Sequence, residues 1–195
     1  MYKLTSGPRH PEITNVAEAW VGGSFKEGFP QGTAGAALIW NTPRAGWTAL
    51  ARPPGIQSPY RAELLALWLA GTLLPQSVSK VVSDCKAAIK VVSGCRQIVW
   101  HRSLARRARE VIQRRGLSVV WTKAQGTEAN ERVDELANTA RELPPQSKEW
   151  PVGPLDLTAN GELQTWPHKC WTRLKVPHHT HRDTPSFLKA GAGEV

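Results

Sequence analysis

Ser58-Pro59-Tyr60-Arg61-Ala62-Glu63-Leu64-Leu65-Ala66-Leu67-Trp68 is the stretch on which the fold turns. Ser58 is a favourable helix cap, and Pro59 suits the first helical position, where its missing N–H would have had no partner. Leu64, Leu67, Trp68 and Gly71 then recur at helical spacing until Pro75. Everything before this helix reads as strand and turn. Everything after it alternates between strand and helix.

Upstream, Ala19, Trp20 and Val21 suggest a strand over 18–25, with Gly22-Gly23 allowing close backbone approach. A second strand runs over 34–41, the turn-rich 41–46 follows, and 47–52 returns as a third. Residues 1–13, with Gly7, Pro8 and Pro11, read as a loose leader. Downstream, Lys80 to Ser83 is a short apolar strand and Asp84 opens a helix ending near Val92. A basic helix from Trp100 to Arg115 stops at Gly116, a strand covers 117–122, and a last helix spans 131–141 with Val133, Leu136, Ala137 and Ala140 inward. Three antiparallel strands followed by strand–helix units predict an α/β domain over 14–143. Its mixed five-stranded sheet, three strands antiparallel and then two parallel, is flanked by helices. From Pro144-Pro145 the pattern dissolves, and 144–195 reads as a Pro- and His-containing extension with little regular structure.

Composition narrows the partners. The 195 residues carry 25 Lys and Arg against 16 Asp and Glu, a net charge of +9. Residues 1–143 hold 19 of those bases and 11 of those acids, so the positive excess belongs to the predicted domain and favours a polyanion such as nucleic acid. No apolar run approaches a membrane span and the N-terminus lacks a signal-peptide core. Three scattered cysteines make no disulfide framework. The expected setting is intracellular, cytoplasm or nucleus, without a membrane.

Three carboxylates fall where a fold can aim them at one point: Glu63 in the first helix, Asp84 at a strand end, and Asp134 in Asn130-Glu131-Arg132-Val133-Asp134-Glu135-Leu136-Ala137. Clustered acids are what hard divalent cations need for phosphodiester hydrolysis. Taken singly, each has a plainer reading: Glu63 a solvated acid, Asp84 a helix cap, Asp134 one acid beside Glu131 and Glu135.

Taken together, their order and local wording resemble the type-1 ribonuclease H family. Its first acid sits in a Thr-Asp-Gly-Ser run, matched here by Val21-Gly22-Gly23-Ser24. Arg61-Ala62-Glu63-Leu64 matches the second motif and Ser83-Asp84-Cys85 the third. The fourth, Asn-Glu-Arg-Ala-Asp-x-Leu-Ala, is matched almost letter for letter by residues 130–137. The resemblance covers about 14–143 and implies cleavage of the RNA strand of an RNA–DNA hybrid by two Mg²⁺ ions, with Mn²⁺ as a substitute, held by Glu63, Asp84 and Asp134. Two departures qualify it. Gly22 occupies the position of the bridging first acid, and neither Glu18, Ser24 nor Glu27 replaces it. Gln125 stands nearest the usual His of the loop before the last helix and cannot shuttle a proton.

The expected protein is therefore a retroelement-type ribonuclease H domain with impaired cleavage, a possible neighbour of a reverse transcriptase domain in one polyprotein. An active enzyme tolerating Gly22 and a catalytically silent module supporting a polymerase stay open. For nucleic-acid contact the expected residues are Ser24, Lys123 and Asn130, with Arg102, Arg106, Arg107 and Arg109 of the basic helix pairing with phosphates. Trp20, Trp40, Trp68 and Trp121 are expected in the core. His168, Cys170, His178, His179 and His181 lack the spacing of a zinc knuckle.

Overall fold

The computed structural model describes residues 2–28, 32–124 and 126–144, together with two short strands, Asp156–Leu157 and Leu163–Gln164. The chain separates into two compact units, 1–165 and 166–195, and the second lies outside the described residues, as do His168, Cys170 and the later histidines.

Six strands form the main sheet. β1 (Tyr2–Gly7), β2 (Glu18–Lys26), β3 (Thr33–Asn41), β4 (Gly46–Ala51), β5 (Lys80–Ser83) and β6 (Ser118–Trp121) lie in the order β1-β4-β3-β2-β5-β6. β2, β3 and β4 make the expected antiparallel meander; β5 joins β2 in parallel and β6 joins β5 in parallel. The sixth strand comes from the segment read as a leader. Tyr2 and Leu4 alternate with Lys3 and Thr5, and both pack on the core while β1 pairs antiparallel with β4. That pairing covers the edge that β4 would otherwise expose. In the extension, β7 (Asp156–Leu157) and β8 (Leu163–Gln164) pair only with each other.

Four helices cover the sheet: α1 (Pro59–Leu73), α2 (Lys86–Val92), α3 (Arg102–Arg114) and α4 (Glu128–Ala140). Side chains alternate along each strand, so the two faces sort themselves. Val21, Ala36, Leu38 and Ala49 pack with α1 and α3, whereas Trp20, Ala37, Ile39 and Leu50 pack with Val133, Ala137 and Ala140 of α4. α1 is capped as its sequence indicates, Ser58 Oγ accepting the Arg61 N–H at 3.1 Å. α4 begins three residues earlier than expected because Thr127 caps it, accepting the Asn130 N–H. α2 begins at Lys86, which leaves Asp84 in the turn between β5 and α2.

Candidate active site

The site is organised by two adjacent glycines of β2. Consecutive strand residues face opposite sides of a sheet, and here both sides are occupied by helices. A Cβ on Gly23 would lie 2.6 Å from the Glu63 backbone nitrogen and 2.9 Å from the Ala62 carbonyl carbon, so only glycine admits α1 this close. A Cβ on Gly22 would lie 2.9 Å from Val133 Cγ1 and 3.1 Å from Asp134 Oδ1, so the other face of the strand abuts α4. The pair thus draws Glu63 and Asp134 towards β2 from opposite sides. Asp84 enters from the neighbouring strand, β5.

The three acids lie near enough to feel one another's charge. Burial, then the Asp84 charge, push the Glu63 carboxyl up to about 8; the Gly23 N–H, donating to Oε1 at 3.1 Å, works against them, and Asp134 adds a smaller push upwards. Burial and then Asp84 likewise raise Asp134, to about 6, with Glu131 contributing. Glu63 Oε2 is buried and has no hydrogen-bond partner among the described residues. The neighbouring Cys85 thiol is pushed up to about 11 by burial first and the Glu63 charge second. An arrangement that holds protons this firmly is one in which like charges crowd a partly dry space.

The pair of Mg²⁺ ions implied by the resemblance does not fit these side chains. The bridging position, Gly22, offers no ligand, and the space beyond its Cα is filled by Val133. Among the described residues no three His, Cys, Asp or Glu side chains stand together in a geometry that holds a metal ion. Gln125 lies outside the described residues.

Several expected contact residues turn inward. Asn130 is only 1% exposed: its amide donates to the Ala124 carbonyl at 2.7 Å and, at 3.4 Å, to Asp134 Oδ2. It positions the loop and the acid and is not at the surface to meet nucleic acid. Arg109 is half-buried, its guanidinium donating to the carbonyls of Val91 at 2.7 Å and Arg96 at 2.6 Å. Those bonds fasten α3 to the end of α2 and engage two of the five N–H donors of the guanidinium. Arg102, Arg106, Arg107 and Lys123 are exposed. Ser24 is half-buried and its hydroxyl donates to Asn138 Oδ1.

Two residues near Asp84 escaped the sequence reading. Trp121 is 49% exposed, not in the core like Trp20, Trp40 and Trp68. Its indole N–H donates to the Asp84 carbonyl at 3.0 Å, and the Lys86 ammonium sits 3.9 Å from its ring centroid. The ring therefore braces the turn that carries the acid. Its place as the last residue of β6, register partner of Ser83, was the available signal.

No family model matches the sequence, and a search of curated proteins returns no match. Solved structures do resemble it. RNase H1 from the halophilic archaeon Halobacterium salinarum NRC-1 aligns over 63% of this chain and 95% of its own, at 23% identity and a TM-score of 0.44. LC11-RNase H1, isolated from compost by a metagenomic approach, aligns over 64% and 94%, at 20% identity and a TM-score of 0.49. LC9-RNase H1, a type 1 RNase H with the type 2 active-site motif, aligns over 64% and 71%, at 17% identity and a TM-score of 0.46. Each of the three is a ribonuclease H1, and it is to these that the chain is similar.

Proposed function

We propose that this chain is a ribonuclease H-like domain that binds RNA–DNA hybrid or a related duplex and cleaves it weakly or not at all. The observation supporting the reading is the mutual electrostatic influence of Glu63, Asp84 and Asp134, from α1, the β5–α2 turn and α4, with Glu63 beside Gly23 and Asp134 beside Gly22. Scattered surface acids do not raise one another's proton affinity in this way. The exposed Arg102, Arg106 and Arg107 on α3, with Lys123 beyond β6, supply phosphate contacts that read no sequence.

Burial and the neighbouring acids raise the Glu63 carboxyl to about 8, which favours its protonated form as long as no cation offsets the crowded negative charge. Labelled hybrid incubated with Mg²⁺ or Mn²⁺ tests the reading. Salt-dependent binding with little or no cleavage is expected; turnover abolished by Asp84→Asn would overturn the impaired site, and hybrid affinity indifferent to salt would remove the phosphate contacts.

A further inference from the structure

The loss at position 22 has a partner. Val133 is completely buried, and its Cγ1 lies 2.9 Å from where a Cβ on Gly22 would stand. Val in a helix holds one strongly preferred rotamer, so this methyl cannot swing aside at small cost. Gly22 is not in the left-handed region, so a Cβ there is otherwise favourable in a strand. On that side the nearest obstacle is Val133 Cγ1 at 2.9 Å, with the Asp134 carboxylate next at 3.1 Å. In the resembling motif the residue before the last acid is Ala, a side chain without the two methyls.

We infer that Gly22 and Val133 form one packed unit: Val133 fills the room a first acid would need, so restoring the acid also requires removing Val133. Vacancy and filler are coupled, and a single substitution cannot reopen the site. This inference deepens the reading of position 22 as a lost acid position. Its packing arm is nevertheless independent of any nucleic-acid activity.

The test is a cycle of melting temperatures on the full chain. Gly22→Ala is expected to lower the melting temperature in the native protein but to raise it in Val133→Ala, although Val133→Ala alone lowers it by leaving a cavity. The Ala variant adds only the Cβ, so it perturbs the packing less than an Asp variant. A shift of the same sign and size in both backgrounds overturns the inference. The second arm reads Mn²⁺ binding by electron paramagnetic resonance. Gly22→Asp with Val133→Ala is expected to bind about tenfold tighter than Gly22→Asp alone, the size of one ordinary coupling between neighbours. Equal affinity in the two proteins would show that Val133 is no obstacle. Loss of hybrid binding in the native protein would sink the proposed function and leave the melting cycle untouched.

Discussion

The Gly23 N–H donates to Glu63 Oε1 at 3.1 Å while Glu63 Oε2, buried beside it, has no partner among the described residues. One bond fixes the carboxyl on the strand, and the second oxygen is left in the fields of Asp84 and Asp134. A carboxyl so placed keeps its proton, which makes the region between α1, β2 and α4 sensitive to pH.

For Glu63 the folded carboxyl titrates at about 8 against an ordinary 4.5, so the folded state binds more protons between those values. Its stabilising contribution is whole below the unfolded value and is lost as pH rises through the folded one. Asp134, raised from 3.8 to about 6, adds the same sign over a lower window. The melting temperature is expected to fall as pH rises from about 4.5 to about 8, and Glu63→Gln, which keeps an oxygen for Gly23, to melt several degrees above the native protein near about pH 9. Calorimetric scans across pH check this; parallel curves for the two proteins would contradict it.

Gly23→Ala drives a Cβ into the α1 backbone at Glu63 and Ala62, atoms that cannot step aside. A loss of roughly 2–4 kcal/mol in urea unfolding is expected, from displacement of a packed helix. Gly7→Ala is the control: nothing lies within 4 Å of its Cβ, so its change should stay within about 0.5 kcal/mol.

Arg106 and Arg109 lie on the same basic helix with different duties. Arg109→Ala removes two bonds to backbone carbonyls and is expected to cost about 1–3 kcal/mol of stability. Arg106→Ala should leave stability within about 0.5 kcal/mol yet shrink the salt dependence of hybrid binding by about one phosphate contact, a slope change of ~0.9. Urea unfolding and salt titrations separate them, and matching effects of the two variants would refute the assignment.

Trp121→Phe keeps a ring beneath Lys86 but deletes the indole N–H that holds the Asp84 carbonyl. A loss near about 1 kcal/mol is expected. Faster hydrogen exchange should be confined to the amides of the β5–α2 turn, which mass spectrometry of the exchanged protein would localise. Unchanged exchange there would deny Trp121 its bracing role.

What sequence could and could not convey follows from the range of the forces involved. The α1 entrance was legible because Ser58 and Pro59 act within one turn, and the meander because period-two alternation is local. β1 carried the same alternation in Tyr2 and Leu4 but was hidden by the adjacent Gly7 and Pro8; only the β4 edge explains why so short a stretch is held. The acids could be ordered along the chain, whereas the contact of Val133 with Gly22 spans more than a hundred residues and leaves no local mark. Arg109 looked like its neighbours because the carbonyls that capture it, Val91 and Arg96, belong to other segments. Asn130 reads as polar surface until Thr127, by capping α4, brings its amide beneath the loop.

α1 is apolar nearly all round: every residue from Leu64 to Gly71 is buried, and α3 closes its outer side, where Val111 lies against Gly71. During synthesis that covering arrives late. Roughly forty residues separate Leu73 from the end of α3, which at ribosomal speeds is a delay of about 2–8 s. Through that interval the nascent chain displays an oily helix with no lid, an obvious ligand for a chaperone stationed at the ribosome exit.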